Sequence, residues 1–254
     1  VKYLVSTHTV YIKYGILARL AMYHGAQVFE TNDVHLLHYS KFDPKYNKFS
    51  PSYLEGINEW IRAKFSTLDF NSEKAKWVEH YLNNRFLGNF NQLDINLAFK
   101  NKKVYNEIEL REFLGIKNSY PVVFILAHAF SDAPHLGKFM IFRDYYDWLT
   151  QTLEFIKNIK NVNWVFKPHP SAKLYGEEGV VETLVKEANC NHIFLTPKDF
   201  STSSLKEIAS AILTTQGTAG LEFSCFGIPV IITGRPLYAG FGFTNEPKSK
   251  AKHF

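Results

Sequence analysis

The segment from Ala211 to Thr244 constrains the fold more than any other part of the chain. It joins an apolar run, a turn of hydroxyls and glycines, a short helical stretch and a second apolar run. Ala211–Leu213 and Pro229–Ile232 read as buried strands, and Thr214–Gly220 is the turn where the first strand hands over to the helix. Backbone N–H groups at such a turn lack partners, and the positive end of the helix dipole adds to their pull on an anion. Glu222 follows on the first turns of that helix, within reach of the sugar of a nucleotide whose phosphate lies on the turn. A unit of this kind belongs in a parallel sheet.

The second half of the chain repeats the alternation. Val122–Ala127, Val162–Phe166 and His192–Leu195 are apolar strand candidates, separated by helical stretches at Arg143–Asn158, Glu177–Ala188 and Ser204–Ser210. Five apolar runs alternating with helices predict an α/β fold with a doubly wound parallel sheet. Ligands of such sheets bind outside the carboxyl ends of the strands. In the first half, Lys2–Ser6, Tyr14–His24 and Gln27–Phe29 read as strand, helix and strand, with Gly25 placed to end the helix. From residue 30 to 118 the pattern turns helical. Ser50–Pro51 opens one helix, Asn71 or Ser72 a second running to about Phe86, and Asn106 caps a third over Glu107–Leu114, ended by Gly115. Leu87–Lys103 reads as the least structured stretch.

Among 254 residues, 46% are hydrophobic and 21% charged, which describes a globular chain able to bury a real core. Aromatics make up 16%; they suit sugar-stacking surfaces, and large cores even more often. The net charge of +5 is spread thinly, with short clusters at Lys100–Lys103 and Lys248–Lys252. That surplus fits a phosphate-bearing ligand or an anionic membrane surface, and no nucleic-acid-binding signature accompanies it. Cys190 and Cys225 stand in apolar contexts and read as buried free thiols of a reduced compartment. No apolar run is long enough to span a bilayer and no signal peptide is apparent, so the cytoplasm is the expected location. The chain opens on a strand without methionine and closes at Lys250–Phe254 in the start of a helix, so a longer polypeptide is expected.

Three loops fall at strand ends. His128–His135 follows the first strand of the second half, Lys167-Pro168-His169-Pro170-Ser171 the next, and Thr214–Thr218 the fourth. Two prolines fix the backbone around His169, so its ring is presented rigidly beside Lys167, an arrangement able to hold a phosphate or assist a nucleotide leaving group. A histidine that merely satisfies a turn is the plainer alternative. Thr215 and Thr218 offer hydroxyls, while Gly217 and Gly220 allow close backbone approach. For Glu222 the competing reading is an acid that stabilises its helix N-terminus. His35 and His38 are three apart, but nothing completes a metal site around them, and no metal is expected.

Lys167–Ser171, Thr215–Glu222, Gly227-Ile228-Pro229-Val230 and Gly234–Thr244, above all Pro236-Leu237-Tyr238-Ala239-Gly240-Phe241-Gly242-Phe243-Thr244, resemble the bacterial capsule polysaccharide biosynthesis family, which includes retaining β-Kdo transferases. The likeness is good over about residues 120–244 and loose before that. It implies a GT-B fold of two Rossmann-like halves. Residues 1–118 would form the N-terminal, partly helical region on the acceptor side, and residues 119–254 the nucleotide-sugar-binding domain. The implied activity is transfer of a Kdo-like sugar from a CMP-activated donor, used as substrate without any cofactor, to a saccharide or lipid-linked acceptor. His169 and Thr214–Thr218 would hold the CMP phosphate and Glu222 the ribose diol. The implied binding set is thus Lys167, His169, Ser171, Thr214, Thr215, Gln216, Gly217, Thr218, Glu222 and Tyr238. The acid–base candidates are His128, Asp132 and His8. Peripheral attachment to the inner membrane or to a capsule assembly complex would follow from a glycolipid acceptor.

Three rivals stay open at this level: a glycerol- or ribitol-phosphate transferase using a CDP donor, a nucleotide-sugar 2-epimerase, and a non-catalytic module of capsule assembly.

Overall fold

The computed structural model describes residues 2–7, 12–31, 36–37, 61, 63–65, 67, 69, 71–132, 140–236 and 238–253. The chain forms two compact units, residues 1–67 and 68–254.

In the first unit, β1 (Tyr3–Ser6) and β2 (Gln27–Thr31) pair in parallel across the helix α1 (Ile12–Tyr23), with Tyr3 opposite Gln27. The expected strand–helix–strand unit is therefore present. Gly25 takes φ 77° just past the helix, a left-handed turn that glycine makes without strain. A two-residue strand, β3 (Leu36–Leu37), adds antiparallel to β2. The expected helix behind Ser50–Pro51, the loop residue His8, and His35 and His38 lie outside the described residues.

The second unit opens with helices. Ser72 caps α2 (Glu73–Phe86) by accepting the Ala75 N–H at 3.4 Å. Leu87–Lys103, read as the least structured stretch, contains α3 (Leu93–Ala98) and buries Ile95 within it and Phe99 at its end completely or nearly so. A six-residue helix leaves too short a periodicity for a sequence reading to detect. The next helix, α4 (Glu107–Leu114), carries a reciprocal capping box between Asn106 and Glu109 and ends at left-handed Gly115, as its residues predict.

Five parallel strands follow: β4 (Val122–Leu126), β5 (Asn163–Lys167), β6 (Ile193–Leu195), β7 (Ala211–Thr214) and β8 (Val230–Ile232). Their spatial order is β6-β5-β4-β7-β8. The chain winds outward in one direction from β4 to β6, then returns to lay β7 on the other side of β4. The order therefore reverses between β4 and β7, and such a switch point opens a crevice at the strand ends. β4 and β5 are buried along their whole length, so their alternate residues feed two cores. Val122, Phe124 and Leu126 pack with α2, α3, α4 and the short helices α7 (Leu205–Ile208) and α8 (Ala219–Ser224). Val123 and Ile125 pack with α5 (Tyr145–Ile156) and α6 (Val180–Ala188) on the opposite face. Helices on both faces make the sheet doubly wound. The chain closes with α9 (Lys250–His253).

Of the two thiols, Cys190 is half-buried and Cys225 exposed. The expectation of two buried thiols fails at Cys225, because α8 ends there on its solvent side.

Candidate functional site

The carboxyl ends of β4, β5 and β7 deliver Ala127, Lys167 and Thr214 to the rim of one cavity of about 130 Å³. All of its lining residues belong to the second unit. The three loops picked out by sequence do converge there.

Lys167 is the last residue of β5, and the sheet carries its stem inward until only 6% of the residue is exposed. Burial, with the charge of Lys102 behind it, pushes the amine down to about 7. Among the described residues no carboxylate forms an ion pair with it. The next loop residue but one, His169, lies in the same wall. Desolvation comes first, followed by the charges of His128 and Lys167, in bringing its imidazole down to about 4. The Ser171 N–H donates to His169 Nδ1 at 3.2 Å, so the neutral ring carries its proton on Nε2 and is a hydrogen-bond donor there. His128 stacks on Tyr145 at 4.1 Å between centroids and on His169 at 5.6 Å. Its pKa is lowered by burial, and Asp132 pulls both imidazoles the other way through its charge. The described part of this loop, His128 to Asp132, is clamped where the Phe130 and Ser131 N–H groups donate to the Glu177 carboxylate at 2.7 and 2.8 Å.

The turn after β7 divides its residues between two tasks. Thr214, Gly217 and Thr218 line the cavity. Thr215, Gln216 and Tyr238 do not: they hold the turn from behind. Thr215 is wholly buried, the Gln216 amide reaches the Tyr145 hydroxyl at 3.4 Å, and the Tyr238 hydroxyl donates to the Gly217 carbonyl at 2.6 Å. That last contact explains one glycine and a tyrosine at once. A Cβ on Gly220 would stand 2.1 Å from the Tyr238 oxygen, so the turn and the later loop approach only because residue 220 has no side chain. Behind the turn, α8 is only six residues long and its first turn has no side-chain cap. Its dipole is correspondingly small, and the buried Lys167 amine is the stronger attraction for an anion.

Glu222 lines the cavity from α8, on the far side from Lys167's strand. Its Oε1 accepts from Arg85 Nε at 2.9 Å, and Arg85 Nη2 donates to Asp94 Oδ2 at 2.7 Å. Arg85, Asp94, Phe99 and Thr202 also line the cavity, and sequence reasoning did not pick them out. Arg85 sits at the end of an amphipathic helix, where a basic residue ordinarily answers the dipole. Its partner lies 137 residues away, so no local signal marks it. Among the described residues, no group of three or more His, Cys, Asp and Glu could hold a metal ion. No described helix is long and apolar enough to cross a membrane.

Residues 147–253 match the family described as capsule polysaccharide biosynthesis protein. That span contains every motif on which the resemblance rests, which is thereby borne out. Similar solved structures include two from Thermosulfurimonas dismutans KpsC. For the β-Kdo 2,7 transferase the identity is 19% and the TM-score 0.39, covering 66% of this chain and 51% of that one. For the β-Kdo 2,4 transferase the figures are 17%, 0.41, 66% and 53%. A third, the Methanocaldococcus jannaschii UDP-GlcNAc 2-epimerase in complex with UDP-GlcNAc and UDP, gives 20%, 0.38, 63% and 43%. The match spans about half the length of the KpsC chains. No curated protein sequence matches significantly.

Proposed function

We propose, from the family match over residues 147–253 and the chemistry of the cavity, that this protein is a glycosyltransferase of capsule or surface-polysaccharide synthesis. Its second unit holds the nucleotide of an activated sugar. The favoured donor is a CMP-activated, Kdo-like sugar. The acceptor is a saccharide or a lipid-linked precursor, met in the cytoplasm at the inner membrane face, and the architecture of the whole enzyme is GT-B.

One observation carries the nucleotide reading: the Lys167 amine is buried, opens into the cavity, and has no acidic partner among the described residues. Burying an uncompensated cation costs free energy, and a bound phosphate removes that cost. The neighbouring groups suit a phosphate too. Nε2–H of His169 and the hydroxyl of Thr218 are donors, while the Thr214 hydroxyl donates to the Leu126 carbonyl at 3.5 Å, and Gly217 lets an anion approach the backbone. When the bond between sugar and phosphate breaks, its electron pair goes to the phosphate oxygen. Lys167 and His169 then stabilise the charge that develops on the departing nucleotide. His169 is neutral at pH 7 and acts as a hydrogen-bond donor. A phosphate beside it raises its pKa and brings it toward proton transfer. On the sugar side, His128 with Asp132 nearby is where acid–base assistance would come from. Glu222 Oε2, which no donor among the described residues occupies, would accept from the ribose diol.

Calorimetric titration with CMP, CDP, UDP and GDP tests the reading. Selective CMP binding that is lost in His169→Ala and Lys167→Met supports it. Preference for CDP or UDP replaces the donor with that of a polyol-phosphate transferase or a UDP-sugar enzyme. Silence from a chain that melts cooperatively refutes nucleotide binding and leaves a non-catalytic module.

A further inference from the structure

We infer that Arg85 is a positioning residue for the nucleotide sugar, holding the Glu222 carboxylate so that its free oxygen faces the ribose hydroxyls. The inference rests on the nucleotide reading above and adds a residue from a helix outside the matched segment. Arg85 and Glu222 both line the cavity, and their side chains are 10% and 8% exposed. A carboxylate on a short helix can rotate about its terminal bond, and a rotating acceptor gives a diol little geometric selection. The Nε–H bond to Oε1 at 2.9 Å removes that freedom and leaves Oε2 without a donor among the described residues. The guanidinium is in turn held by Asp94 at 2.7 Å, so two carboxylates fix one planar group. The backbone beneath the pair is also locked. Phe86 and Phe223, the next residues along each helix, meet edge to face at 5.3 Å, and the Ser203 hydroxyl donates to the Phe86 carbonyl at 2.6 Å. Slippage of α2 against α8 would break all of these contacts together.

A plain staple between two helices would explain the same bonds, so the test must separate stapling from positioning. The readout is the ratio of affinities for cytidine and 2′-deoxycytidine monophosphates, with inorganic phosphate as a probe of the opposite wall. The wild type is expected to prefer the ribonucleotide by about tenfold or more, the worth of a hydrogen bond to a charged acceptor. Arg85→Lys keeps the charge without the planar fork, and Asp94→Asn loosens the guanidinium from its exposed side while leaving the buried pair in place. Arg85→Lys is expected to bring the ratio near unity and Asp94→Asn to reduce it, both with phosphate affinity within about twofold of wild type. A wild-type ratio in both variants overturns the inference, as does an equal loss of all three ligands, which is the signature of a staple. Failure of the underlying reading looks different: a wild type indifferent to the 2′-hydroxyl, or a Glu222→Gln variant that keeps the preference, removes Glu222 itself from the sugar site.

Discussion

The two walls of the cavity are built from the same kinds of group and are compensated in opposite ways. On the β5 side, Lys167 and His169 are buried cations-in-waiting with no carboxylate bonded to either among the described residues, and both are pushed toward their neutral forms. On the α8 side, Glu222 and Asp94 both bond Arg85 through short hydrogen bonds, so the Glu222 charge is paired before a ligand arrives, and the Arg85 pKa is raised by its acidic partners in spite of burial. The difference teaches where each wall spends its binding energy. A wall with an unpaired buried amine is destabilised until an anion arrives. A wall with a closed ion-pair network is complete before the ligand comes, and contributes direction rather than charge.

Removing one member from each wall should therefore shift stability in opposite directions. Arg85→Ala leaves Glu222 buried and unpaired, and the expected loss is about 3–5 kcal/mol of unfolding free energy. Lys167→Met replaces an uncompensated amine with an apolar side chain of similar length, and the expected change is a gain of roughly 1–3 kcal/mol at pH 7. The same variant should lose nucleotide affinity by about tenfold to a hundredfold. Denaturant unfolding of both variants, beside a titration of Lys167→Met, is the check. Two losses of equal size would mean that Lys167 has a partner in solution and that the walls do not differ.

What the sequence showed and what it hid divide along the same line. Strands β4 and β5 were legible because burial on both faces makes a continuous apolar run, and the loops at their ends followed from the order of elements. Lys167, His169 and Thr214 were legible because each stands at or just beyond the carboxyl end of a strand. The Arg85 wall was hidden because its members come from α2, α3 and α8, and only tertiary packing brings them together. Asp94 belongs to the stretch that read as least structured. Tyr238 was legible as part of a motif, but its contact with the Gly217 carbonyl needs coordinates.

A pH series sharpens the comparison. The folded Lys167 amine sits at about 7 against 10.5 in the unfolded chain, so its penalty is complete below pH 7 and lifts as pH rises toward 10.5. His169 sits at about 4 against 6.5, so its penalty is absent above pH 6.5 and grows as pH falls toward 4; His253, also at about 4, adds to the same acid limb. The ligand-free protein should gain stability on the alkaline side of neutrality and lose it on the acid side. Lys167→Met should flatten the alkaline rise, and a bound nucleotide should do likewise by pairing the amine. Thermal midpoints across pH 4–10 with and without CMP measure both. An alkaline rise of equal size in Lys167→Met would assign it elsewhere, for example to Lys102, whose pKa burial also lowers.

The smallest expected effect concerns the turn that both walls share. Tyr238→Phe deletes one hydroxyl and leaves the Gly217 carbonyl without its 2.6 Å donor, which should cost about 1 kcal/mol. The ring still fills its place among buried neighbours, and the loop should keep its path. Because Gly217 lines the cavity between the walls, the loosened turn should weaken phosphate and nucleotide in the same proportion and leave the ribose preference intact. Gly220→Ala tests the same joint from the other side, since its methyl would collide with the hydroxyl that Tyr238→Phe removes. The double variant should therefore recover part of what Gly220→Ala loses, measured as a coupling free energy in a double-mutant cycle. Strict additivity would show that the two loops do not meet through that oxygen.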